Sequence, residues 1–183
     1  MACGLASSAH RFKGATWLGL LKEGLMSVSA LLALLGSSTV GAPALPFDLP
    51  DRTMIARFHA EGAQVYECKA LTGGSAPVWT FREPIATLME DGKTVGRHFA
   101  GPHWALDDGS LIQARVAQTL PGATSADIPL LKLDVSQNGG HGRLGSATEV
   151  YRLNTKSGAL GGACDTPGAF RSMPYSADYV FAR

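Results

Sequence analysis

The chain has 183 residues, of which 45% are apolar and 17% charged, and its formal net charge is +1. That balance suits one folded domain with a sizeable core and excludes a disordered chain. The basic residues are scattered, so the electrostatic footprint of a nucleic-acid binder is missing and no nucleic-acid partner is expected.

The longest apolar run is Leu25 to Leu35. It is too short to span a bilayer, which takes roughly 20 residues. Small residues follow it, ending in Val40-Gly41-Ala42-Pro43-Ala44, the pattern of a signal peptide cut after Ala44. Residues 1–44 are therefore read as the signal and 45–183 as a single β-rich domain, with no transmembrane segment in the mature chain and a secreted or periplasmic destination. Lys22-Glu23-Gly24 can be encoded as AAG-GAG-GGN, a ribosome-binding sequence just ahead of Met26, which makes Met26 an alternative start. The codons of the gene decide between the two. Either start leaves Cys68 and Cys164 as the mature thiols, and in an oxidising compartment two cysteines usually pair.

Leu45 to Pro50 reads as an extended leader. Asp51 to His59 has the spacing of a short helix, with Asp51 as N-cap and Met54, Ile55 and Phe58 on one face. Beyond Gly62 the period becomes two. Tyr66, Cys68 and Ala70 share one strand face, and Trp79 with Phe81 share another. Asp91-Gly92 between two such runs is a hairpin signature, and Asp108-Gly109 marks a second turn. Ile112, Ala114 and Val116 alternate with polar residues, as do Leu131, Leu133 and Val135. Asn138 to Gly145 is a glycine-rich loop, Thr148 to Leu153 is extended, and Tyr175, Ala177, Tyr179 and Phe181 line one face of a last strand. With 22 glycines and 10 prolines to turn the chain, this predicts an all-β sandwich or barrel of about eight to ten short antiparallel strands plus one N-terminal helix.

The densest polar-aromatic stretch runs from Arg97 to Ser110 and contains His98, His103, Trp104, Asp107 and Asp108. Histidine serves as base, acid or metal ligand at neutral pH, and a nearby carboxylate orients it. However, His98 and His103 are five apart across Gly101-Pro102, which is neither a helical metal pair nor one strand face. Ser110 lacks the Gly-x-Ser-x-Gly elbow of a nucleophile. His141 sits in a glycine-rich loop where solvation accounts for it. Asp178, between two tyrosines, requires a partner if it is buried, and Arg97 or Arg152 could supply one. Trp79 and Trp104 could stack on a sugar or an aromatic ligand.

Several segments resemble a known family: Ala63 to Cys68, Trp79-Thr80-Phe81 with Pro84 to Leu88, Gly96 to Trp104, Arg152 to Ala159, Cys164-Asp165 and Pro174 to Tyr179, where Tyr-Ser-Ala-Asp-Tyr is most specific. The family is the secreted bacterial and fungal one catalogued only as a domain of unknown function. The resemblance implies an exported β-rich domain holding both cysteine positions, and no activity. His98 fits its pattern, whereas His103 stands where threonine is expected. The dehydrogenase labels on some fungal members find no Gly-x-Gly-x-x-Gly here.

The residues favour a non-enzymatic, exported binding or envelope-associated module with the Arg97–Ser110 segment as ligand face. Its partner would be a small molecule, a glycan or an envelope component, with no cofactor. The alternative is a hydrolase or metal-assisted enzyme using His98 with Asp107, Asp108 or Asp178.

Overall fold

The computed structural model describes residues 46–47, 53–73 and 76–183. The signal-peptide reading of residues 1–44 lies outside the described residues. Eight antiparallel strands form a closed barrel: β1 (Met54–Lys69), β2 (Val78–Glu90), β3 (Lys93–Phe99), β4 (His103–Leu106), β5 (Ser110–Leu120), β6 (Leu130–Gly140), β7 (Glu149–Ser157) and β8 (Phe170–Ala182). Each strand pairs with the next in sequence, and β1 pairs with β8 from Met54↔Ala182 to Glu67↔Phe170 to seal the ring. A closed ring leaves no free edge.

The helix expected over Asp51–His59 is a correction. Residues 51–52 lie outside the described residues; from Met54 onward the stretch is the start of β1, paired with β8, and β2 joins it on the other side only from His59. The inward face is Ala56, Phe58 and Ala60, while Met54 is 63% exposed. Two alanines around one phenylalanine give a faint period of two, and pairing with β8 overrides the helical spacing of Met54, Ile55 and Phe58.

The alternation in β8 is as expected: Tyr175, Ala177, Tyr179 and Phe181 join the interior cluster with Phe58, Leu88, Trp104, Ile112, Leu133, Leu144 and Val150. The outside carries Arg57, His59, Glu61, Arg97, Arg115 and Asp134. Apolar inside and charged outside is the reverse of a bilayer-spanning barrel, whose outer band is apolar. A smaller outer cluster, Tyr151, Leu153, Val180 and Ala182, is covered by Phe47 of the leader.

The two barrel ends differ. At one end lie the tight turns, including Asp91-Gly92, where both φ angles are positive (50° and 73°) as a two-residue hairpin of this type demands. The 3-10 turn Arg143–Ser146 inserts the fully buried Leu144 there and closes the ring. At the other end are a short turn at residues 100–102 and the long connections 121–129 and 158–169. The Cys68–Cys164 disulfide, with Cα atoms 5.9 Å apart, fastens the last of these to the end of β1.

Candidate functional site

The end bearing the long connections opens into a cavity of about 520 Å³. Gln64 and Tyr66 of β1, Phe81 of β2, His98 of β3, Trp104 of β4, Leu133 of β6, Arg152 of β7 and Tyr179 of β8 line it, with Ile128 and Pro129 from the β5–β6 connection. An eight-stranded barrel is just wide enough for its side chains or for one small ligand, and this volume lies within the range of small-molecule sites.

The cavity's polar groups sit on the inward face because of strand parity. In β1 the even-numbered residues from Ala56 to Cys68 run inward, which carries Gln64 inside between Gly62 and Tyr66. In β7, Val150 and Arg152 face inward, whereas Tyr151 and Leu153 join the outer cluster under Phe47. The Tyr66 hydroxyl donates to the carbonyl of Gly158 at 2.9 Å. Gly158 has φ +85°, and a Cβ there would lie 2.6 Å from the Tyr175 Cβ, so only glycine lets that connection close down beside the rim.

His98 is buried and stacked on Trp104, with ring centroids 4.5 Å apart and planes 10° apart; Tyr179 tilts against it at 4.9 Å. Its Nδ1 lies 2.8 Å from the carbonyl of His103. A carbonyl only accepts, so Nδ1–H donates and Nε2 keeps its lone pair. Burial, reinforced by the Arg152 charge, drives the imidazole pKa down to about 3, so it is neutral at physiological pH. No carboxylate meets His98 in a hydrogen bond or ion pair among the described residues. A carboxylate-oriented base is thus not assembled.

Arg152 is 9% exposed, and its Nε donates to the Pro129 carbonyl at 3.0 Å. It forms no ion pair with any carboxylate among the described residues. The phenols of Tyr66, Tyr175 and Tyr179, which feel its charge, are pushed up by burial and stay protonated. Three buried side-chain groups among the described residues lack a hydrogen-bond partner: Gln64 Nε2, Trp104 Nε1 and Thr155 Oγ1. The first two belong to residues that line this cavity.

The Arg97–Ser110 segment does not make one face. His98 and Trp104 line the cavity. Arg97 is exposed on the outer wall over the Phe99 ring, and His103 bonds the Ala100 carbonyl at 2.6 Å beside the rim. Asp107, Asp108 and Ser110 lie at the closed end. There Asp108 accepts from the backbone N–H groups of Ser110 (2.9 Å) and Arg143 (3.0 Å), and the Ser110 hydroxyl accepts from Leu144 N–H at 3.2 Å. These two residues anchor the closing turn. Asp178 faces outward, held by Arg57, by His59 at 3.1 Å and by Asn154 at 2.6 Å, rather than by Arg97 or Arg152. Trp79 is half-buried under the Arg171 guanidinium, 5.0 Å from its ring centre, and does not line the cavity. His141 is exposed at the end of β6.

Gln64, Tyr66, Arg152 and Tyr179 line the cavity although the sequence reading places none of them in the site, giving Tyr66 and Tyr179 to strand faces and Arg152 to Asp178. A glutamine in phase with Phe58, Ala60 and Tyr66 was the available signal for the first. For Arg152 the stronger apolar phase of Tyr151 and Leu153 concealed it.

Fold and site thus define a closed eight-stranded antiparallel barrel with a plugged end and an interior cavity. The chain belongs to the family described as Protein of unknown function (DUF3455), whose pattern matches residues 50–183. No curated protein and no solved structure matches it.

Proposed function

We propose that the protein is a non-enzymatic binding barrel that holds a small, largely apolar molecule inside its open end, and that it works after export. The observation that carries this reading is the interior cavity of about 520 Å³, lined by the stacked His98–Trp104 pair, with polar atoms of Gln64 and Trp104 without partners among the described residues. Buried polar groups are ordinarily satisfied, and those left unsatisfied in a concave site suit hydrogen bonds from a ligand. The neutral, carbonyl-bound His98 supports binding over hydrolysis, because it lacks the carboxylate that would orient a base.

The test is titration with a neutral fluorescent apolar probe, N-phenyl-1-naphthylamine, on wild type and on Val116→Trp. Val116 lines the mouth and is 54% exposed, so a larger side chain is tolerated there yet obstructs entry. Saturable binding to wild type, weakened about tenfold in the variant, is the expected result. Binding unaffected by the obstruction would overturn the reading. Export rests on the apolar run before Ala44 and on a disulfide that an oxidising compartment permits. N-terminal sequencing of the secreted or periplasmic protein should begin at Leu45, and recovery of the intact precursor from the cytoplasm alone would refute export.

A further inference from the structure

The cavity has one charge sign. Its ionisable lining comprises Arg82 and Arg152, the neutral His98 and two phenols, with no Asp or Glu. Arg82 is matched by Glu83 at 3.0 Å and rests over the Phe170 ring. Arg152, nine-tenths buried, has no carboxylate partner among the described residues and is held by the Pro129 carbonyl and the Tyr179 hydroxyl, both neutral. A guanidinium taken from water without a counter-ion is costly to the fold, and the cost is recovered only when an anion arrives. In the same lining, Gln64 Nε2 and Trp104 Nε1 have no hydrogen-bond partner among the described residues. The remaining wall supplies the flat faces of Tyr66, Phe81, Trp104 and Tyr179.

We infer that the ligand is an aromatic carboxylate, its carboxylate set against the Arg152 guanidinium and its ring lodged among the cavity's aromatic side chains. This rests on the binding reading above and adds the ligand's charge and shape. Arginine presents a planar fork of donors that matches a carboxylate in two-point fashion, which an ammonium cannot do.

The experiment compares 2-naphthoate with its neutral isostere 2-naphthamide by isothermal titration calorimetry at pH 7. Wild type should bind the naphthoate about tenfold tighter or more, in line with a charge-assisted bidentate pair. Arg152→Met should bring naphthoate down to the level of the amide, with a far larger loss of affinity for naphthoate than for the amide. Arg152→Lys should retain only part of the preference. Equal wild-type affinities for the two compounds, or an equal loss of both in Arg152→Met, would overturn the carboxylate assignment while leaving the barrel a binding protein. Binding of neither compound, with no competition against the naphthylamine probe, overturns this inference alone. Failure of that probe itself overturns the underlying reading. Should Arg152→Met fold poorly, the wild-type pair of titrations and Arg152→Lys still decide.

Discussion

Burial holds the His98 imidazole neutral down to about pH 3, whereas in the unfolded chain it takes up a proton near 6.5. Between those values the unfolded state binds a proton that the native state refuses, so stability falls as pH falls, by up to about 1.4 kcal/mol per pH unit. Urea midpoints should therefore drop by the equivalent of roughly 2 kcal/mol from pH 7 to pH 5 in wild type, and much less in His98→Gln. The aspartates do not confuse this window. Asp178 and Asp108 have carboxyl groups held below their ordinary 3.8, so the stability they contribute is lost only at still lower pH. An equal pH 7 to 5 loss in both proteins would show that His98 titrates freely. Arg152 makes the opposite prediction. As an unmatched buried charge it weakens the empty barrel, so Arg152→Met should raise the unliganded urea midpoint by the equivalent of about 1 kcal/mol or more. A residue retained against the interest of stability points to a task other than folding.

At the scale of elements, the closing turn and the disulfide each secure one end. Asp108→Ala removes the acceptor for two backbone N–H groups and should cost about 1 kcal/mol in chemical denaturation, much as a lost helix cap does. Removing both cysteines opens a loop with a sequence separation of 96 and should cost roughly 4 kcal/mol in the chain-entropy view. A melt unchanged by reductant would contradict the second estimate. These elements also mark how far the sequence could be read. Alternation was plain in β8, where Tyr175, Tyr179 and Phe181 recur in one phase, and Asp91-Gly92 announced its hairpin by backbone chemistry alone. The pairing of Cys68 with Cys164 was legible because these are the two cysteines outside the expected signal segment. The beginning of β1 was obscured by small inward alanines. Which end of the barrel each of Trp104, Asp107 and Ser110 would reach depends on strand register, and register is set by partners distant in sequence. The cavity was hidden for the same reason, since Gln64, His98 and Arg152 come from three strands that only the ring brings together.

The whole molecule is a ring whose last strand is the neighbour of its first. Deleting Phe170–Ala182 removes one whole partner of β1 and of β7, exposes two unpaired edges and opens the cavity wall at Tyr179. Such a truncated chain should give the circular dichroism of an unfolded protein rather than of a seven-stranded remnant. Retained β-signal with a cooperative melt would count against that. The seam also sets a schedule. While the chain is being made, β1 waits for a partner that emerges more than a hundred residues later, and long-range pairing of this kind is slow. Until the final strand arrives, nothing ring-shaped exists to jam a narrow conduit. For the export proposed above, closure that waits for β8 would let the chain pass a pore as a flexible line and become a barrel on the far side.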